Sequence, residues 1–189
     1  MKFSQDWFTH NIPSFLDVQK RIGKIESILE VGCFEGRATC WMLENMLSET
    51  GTITCVDTFK GGEEHSNLEL GSLELQFNEN VKEVRKEAQN VETVPLDSYT
   101  GLGYLIRNQK LYDFIYIDGS HIAPDVLTDA CMAFGMLKKG GIMLFDDYLW
   151  RAVPSILHRP KIAIDAFTAI FEERANICIL GYQLGIQKI

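Results

Sequence analysis

The stretch Ser27-Ile28-Leu29-Glu30-Val31-Gly32-Cys33-Phe34-Glu35-Gly36-Arg37-Ala38-Thr39 constrains the fold more than any other. Ile28 to Val31 form a short apolar run that ends at Gly32, and an amphipathic run begins near Arg37. This predicts a buried strand, a glycine turn and the opening of a helix. A turn this tight calls for residues without a Cβ, for its backbone angles and for close approach of a ligand. A side chain at Gly32 is expected to occupy ligand space. The helix start behind it leaves backbone N–H groups unpaired over the strand end. A nucleotide-like cofactor is the expected ligand. A dinucleotide fingerprint would read G-x-G-x-x-G. Here Gly32-x-x-x-Gly36 lacks the middle glycine, and Glu30 just before it suits a cation better than a pyrophosphate. A different nucleotide binder and a plain strand–helix turn stay open at this point.

The rest of the chain supplies a sheet for that turn to belong to. Residues 1–24 read as a helical extension carrying Trp7, Phe8, Ile12 and Phe15, either a packing appendage or a lid over the site. Residues 38–47 predict a helix buried on one face, and 52–56 a second strand ending at Asp57, where an acid can accept hydrogen bonds from ribose hydroxyls. Residues 60–67 form a Gly- and Glu-rich loop. Leu73, Phe77, Val81, Val84 and Ala88 recur at helical spacing. A third strand, 91–94, leads to Asp97 and Ser98, which read equally well as adenine contacts and as a helix N-cap. Phe114 to Ile117 form the fourth strand, with Asp118-Gly119-Ser120-His121 at its carboxyl end. Pro124 opens a helix that Lys138-Lys139-Gly140-Gly141 stops. Residues 142–145 are a fifth strand, 166–171 a last helix, and 176–180 and 183–189 two closing strands. The alternation predicts one domain over 1–189, a Rossmann-like, doubly wound α/β fold with a seven-stranded, mostly parallel sheet and one antiparallel strand. In such sheets ligands bind outside the carboxyl ends of the strands, where all the singled-out residues fall.

Asp146 and Asp147 follow the fifth strand directly. Two adjacent acids at the end of an apolar strand are costly unless exposed, protonated or neutralised. With Asp118 on a neighbouring tip, three carboxylates converge on one divalent cation, and all-oxygen ligation suits Mg²⁺, Mn²⁺ or Ca²⁺ better than zinc.

Composition narrows the partners. A net charge of −8 over 189 residues argues against nucleic acid, whose binding depends on phosphate neutralisation. No apolar run approaches the roughly 20 residues of a membrane span. Met1 to Trp7 carry no apolar signal core, and the five scattered cysteines, never C-x-x-C, fit reduced thiols in a cytoplasmic protein. A homo-oligomer is compatible with this reading.

Glu30-Val31-Gly32-Cys33-Phe34-Glu35-Gly36, Asp57-Thr58-Phe59, Asp118-Gly119-Ser120-His121, the Leu137-to-Gly141 turn and Asp146-Asp147-Tyr148 together resemble the class I S-adenosylmethionine-dependent methyltransferases. The nearest branch is the metal-dependent O-methyltransferases of sugars, catechols and other small hydroxylated molecules. The resemblance runs from about Ile28 to Trp150. It implies S-adenosylmethionine held by Glu30, Gly32, Cys33, Phe34, Gly36, Asp57, Thr58, Phe59, Asp97, Ser98 and Asp118, and Mg²⁺ or Mn²⁺ held by Asp118, Asp146 and Asp147. The sugar enzymes carry a second acid two places after the metal Asp, where Ser120 stands. Catechol-type enzymes carry a lysine base three places after it, where His121 stands. His121 is therefore expected to act with Asp118 in catalysis, as a neutral imidazole able to take a hydroxyl proton. His158 is the weaker choice of base, and Tyr148 and Trp150 are expected to line the acceptor pocket. A catalytically inactive binding module and an NAD-dependent oxidoreductase are the competing readings. Calorimetry separates them: S-adenosylmethionine and its demethylated product should bind and NAD should not, and tight NAD binding alone would overturn the reading.

Overall fold

The structure is a computed structural model that describes residues 1–61, 73–151 and 154–189. Most of the Gly- and Glu-rich loop expected at 60–67 lies outside the described residues. Among the described residues, seven strands form one sheet: β1 (Ile25–Val31), β2 (Leu47–Val56), β3 (Asn90–Val94), β4 (Tyr112–Ile117), β5 (Leu137–Phe145), β6 (Ala175–Leu180) and β7 (Leu184–Lys188). Their order is β3-β2-β1-β4-β5-β7-β6. Strands β1 to β5 run parallel, and β7 is antiparallel to both its neighbours. The order reverses between β1 and β4, so their carboxyl ends open the crevice where such sheets bind ligands.

Among the described residues, six α-helices cover the sheet: α1 (Ile12–Ile22), α2 (Arg37–Asn45), α3 (Leu73–Val84), α4 (Ser98–Arg107), α5 (Ala123–Met136) and α6 (Pro160–Ile170). Strand side chains alternate between faces, and the two cores follow that alternation. Ile28, Phe114, Tyr116, Ile142 and Leu144 pack on the side of α1, α2 and α3. Leu29, Ile115, Ile117, Met143 and Phe145 pack on the side of α4, α5 and α6. Glu30 falls in the alternation with Ile28, which sends a carboxyl into the first core.

Two local expectations are corrected, and the N-cap reading of Asp97 leads into a helix. Lys138 to Gly141 do not stand outside the fifth strand but form a bulge within it, where pairing jumps from Tyr112↔Leu137 to Phe114↔Ile142. Helix α3 ends at Val84, short of Ala88. Helix α4 follows Asp97, whose Oδ1 accepts the Thr100 N–H at 2.9 Å. Its two glycines hide the helical pattern, because Gly weakens helix propensity. Gly101 is there for packing: a Cβ would come within 2.6 Å of Val56 Cγ1.

The N-terminal segment is tied to the sheet by Phe15, which is fully buried. Its ring meets Phe8, Trp41, Phe114 and Tyr116 edge-on, with centroids 4.9–5.7 Å away. Phe15→Ala should cost about 3–5 kcal/mol through lost burial and a residual cavity. Urea unfolding at neutral pH measures this, and a loss below about 1 kcal/mol would mean that the segment packs only loosely.

Candidate active site

The chain after β1 turns through Gly32, at φ +86°, and Gly36, at φ +78°, into α2. A Cβ on Gly32 would lie 2.1 Å from the carbonyl oxygen of Asp118. The glycine is thus demanded by the backbone at the end of β4, which corrects the expectation that a side chain there would fill ligand space. Gly36 answers to Phe77, whose ring a Cβ would meet at 2.8 Å.

Asp57 organises the turn. Its Oδ2 accepts the N–H groups of Cys33 and Phe34 at 2.7 and 2.9 Å, and its Oδ1 accepts that of Phe59 at 2.7 Å. Phe34 and Phe59 are both left-handed, at φ 49° and 53°. Such angles cost about 1–3 kcal/mol in non-glycine residues and persist where surroundings impose them. The carboxylate that reads as the ribose ligand therefore first holds the loop, and Oδ1 is the oxygen with acceptor capacity left for a ligand.

These elements wall a cavity of about 550 Å³, within the range of small-molecule and cofactor sites. Of the residues expected from the sequence it brings together Glu30, Gly32, Cys33, Phe34, Asp57, Thr58, Asp97, Ser98, Asp118, His121, Asp146 and Asp147. Gly36 and Phe59 support the wall from behind, with Phe59 packed on Phe77 at 5.2 Å. Trp150 lines the cavity, whereas Tyr148 turns toward α6, where its hydroxyl bonds Asp165 at 2.8 Å and Lys161 at 2.7 Å. His158 lies exposed in the short Ile156–His158 turn, outside the lining. The N-terminal segment contributes Trp7 and His10, and the β6–β7 hairpin contributes Tyr182. His10 and Tyr182 belong to no motif, so nothing in the local sequence marks them.

At one end of the cavity, ligand atoms of Asp118, Asp146 and Asp147 lie within 4.8 Å of one another. Burial, then the charges of Asp146 and Asp147, push the Asp118 carboxyl well up from its ordinary range. Asp146 is raised by burial and by Asp147, against the hydrogen bonds it receives. Asp147 has a left-handed backbone, φ 54°, and its carboxylate meets Tyr182 OH at 2.7 Å and the Nε2 of His121. His121 stacks on Trp150, with ring centroids 4.7 Å apart.

Glu30 is buried beneath the turn. Its Oε2 takes the Thr39 hydroxyl at 2.5 Å, and its Oε1 has no partner among the described residues. Burial, reinforced by the charge of Asp57, pushes this carboxyl up to about 8. Asp129, behind Ser98, is likewise raised by burial to about 6. Asp97 is lowered by the Thr100 backbone N–H.

With this geometry, the chain belongs to the methyltransferase-domain family, whose pattern matches residues 29–148. The fold is that of the class I S-adenosylmethionine-dependent methyltransferases. Uncharacterized protein R132 of Acanthamoeba polyphaga mimivirus is 23% identical over 121 residues, which is 64% of this chain; the chain spans half the length of that curated relative. Among solved structures, an O-methyltransferase from Bacillus cereus in complex with SAH is 17% identical with a TM-score of 0.68, covering 98% of this chain and 84% of that one. A putative rRNA methylase from Clostridium thermocellum is 12% identical with a TM-score of 0.69, covering 94% and 97%. The MycE methyltransferase of the mycinamycin pathway, in complex with Mg and SAH, is 17% identical with a TM-score of 0.59, covering 100% and 51%. At these identities the solved structures show the shared fold. No helix among the described residues is long and apolar enough to cross a membrane.

The buried Glu30 makes stability depend on pH. In the folded protein it keeps its proton up to about 8, against an ordinary value of 4.5. Its contribution is complete below the lower value and is lost as pH rises through the upper one, by up to about 1.4 kcal/mol per pH unit. Glu30→Gln is neutral throughout and should flatten that loss. Thermal unfolding of both proteins between about pH 5 and 8 tests this; parallel curves would contradict the buried, protonated state of Glu30.

Proposed function

We propose that the protein is an S-adenosylmethionine-dependent O-methyltransferase acting on a small molecule with adjacent hydroxyls, sugar- or catechol-like, with the help of a divalent cation. The observation that carries this is the meeting of the Asp118, Asp146 and Asp147 carboxylates in the same cavity as the glycine turn. A cofactor fits the turn side: the wall offers the Asp57 Oδ1, the Asp97-Ser98 edge and the buried Glu30. A hard cation fits the other side, where every donor is oxygen and the charges of Asp146 and Asp147 add to burial in raising the Asp118 carboxyl. Asp118 and Asp147 would hold it together with Asp146, which offers an oxygen once one of its hydrogen-bond donors gives way.

Bound S-adenosylmethionine would supply an electrophilic sulfonium methyl, leaving as its demethylated product, and a divalent cation held by Asp118, Asp146 and Asp147 would lower the pKa of a hydroxyl near it. The chain's own residues do the rest. Walls from both sides hold acceptor and cofactor in one orientation, which is a large part of the rate in such a displacement. The imidazole of His121, which meets Asp147 at Nε2 and stacks on Trp150, takes the hydroxyl proton. Trp7 and Tyr182, at the mouth, limit water.

The acidic charge balance supports a small acceptor over nucleic acid. Incubation with labelled S-adenosylmethionine and a set of vicinal diols should give methylated product that disappears with chelator and returns with Mg²⁺ or Mn²⁺. Asp118→Asn should lower turnover by about 10²-fold or more. Full activity in excess chelator would remove the cation from the scheme, and methylation of RNA alone would remove the small acceptor.

A further inference from the structure

The Asp146 carboxylate is served by four donors. Its Oδ2 accepts Asn11 Nδ2 at 2.9 Å and Tyr116 OH at 2.6 Å, and its Oδ1 accepts Gln183 Nε2 at 3.0 Å and the Asp147 N–H at 2.9 Å. A carboxylate has about four acceptor positions, so the group is saturated. Two of the donors are primary amides, and each leaves its oxygen buried without a partner among the described residues: Asn11 Oδ1 and Gln183 Oε1. Asn11 is 2% exposed and Gln183 1%. Buried acceptors are nearly always satisfied, and two exceptions on one carboxylate call for a cause.

Asn11 is the more telling of the two, because it belongs to the segment that lines one wall of the cavity. Just before it, Trp7 and His10 line the cavity wall, and Asp6 and Thr9 hold Arg37 of α2 at 3.0 and 3.1 Å. The buried amide is thus the inner anchor of a strap whose outer anchors sit on the cofactor turn.

We propose that Asn11 is a ligand of the divalent cation at the Asp118–Asp146–Asp147 cluster, presenting Oδ1 to the ion after a half-turn of its amide. The inference rests on the cation reading above and adds a residue to it. An amide offers nitrogen or oxygen to the same point by rotation about its last bond, with almost no change in shape. Neighbouring oxygens around an octahedral Mg²⁺ with bonds of about 2.0–2.1 Å stand about 3.0 Å apart. Asn11 Nδ2 and Asp146 Oδ2 already have that separation, at 2.9 Å. The exchange therefore keeps the spacing that two neighbouring ligands require. Without the ion, the N–H side of the amide offsets the negative charge of Asp146. With the ion, its carbonyl adds a hard, neutral ligand where three carboxylates already supply enough charge. Gln183 repeats the arrangement on Oδ1. Loading the cation would then fasten the N-terminal strap over the cavity.

The sign of two measurements decides between a ligand and a competitor. Mn²⁺ titrated alone into the protein, followed by electron paramagnetic resonance of the free ion, gives the affinity. Asn11→Leu keeps the side chain's bulk but removes the oxygen, and should weaken Mn²⁺ binding about tenfold or more. Unchanged or tighter binding would show that the amide merely blocks the carboxylate, and would overturn the proposal. Should that variant fail to fold, amide hydrogen exchange on the unmodified protein decides. Added Mg²⁺ should slow exchange across residues 8–12; faster or unaltered exchange there would overturn it. Protein that binds no Mn²⁺ at all would remove the cation reading itself, an outcome distinct from binding that ignores Asn11.

Discussion

The site depends on how closely two backbones pass. Gly32 leaves β1 so near the Asp118 carbonyl that no side chain fits between them, and the Asp118 N–H donates to the Val31 carbonyl at 2.8 Å. That contact sits where the strand order reverses. It forces the glycine turn and the acid at the tip of β4 to share one cavity. The proposed cofactor turn and the proposed acceptor site at the carboxylates would then be neighbours by construction, as a displacement between them requires.

The electrostatics follow from that crowding. Glu30, Asp118 and Asp146 are carboxyl groups pressed into poorly solvated positions, and each is pushed up from its ordinary range. A cavity lined this way favours cationic ligands over anionic ones. The backbone shares the cost. Phe34, Phe59 and Asp147 are all held at left-handed angles around the site, and Asp57 holds two of the three by accepting their N–H groups.

The two chain ends meet at Asp146. Asn11 arrives from the N-terminal segment and Gln183 from the β6–β7 hairpin, while Tyr116 reaches it from β4. A buried carboxylate with several donors is destabilised strongly by loss of a partner. Substituting Asp146 therefore disturbs packing as well as chemistry, and Asp118 is the cleaner position at which to probe the cluster.

The sequence by itself determined the seven-stranded order of elements along the chain, because short apolar runs and amphipathic helices alternate and each is bounded by glycine, proline or an acid. It also marked the acids at the strand tips, since a charged residue directly after an apolar run shows where the chain leaves the core for solvent or a ligand. It did not show α4, whose Gly101 serves a contact with Val56 that exists only once the sheet is built. Nor did it show why Gly32 must be glycine, or that Tyr148 faces α6 rather than the cavity, or that Asn11 and Gln183 meet on one carboxylate. Those facts join residues far apart in the chain, Asn11 and Asp146 by 135 positions. Local pattern records what a residue's neighbours along the chain require of it. Which side chains converge in space is settled by the strand order and the packing of the two cores, and only the tertiary structure decides that.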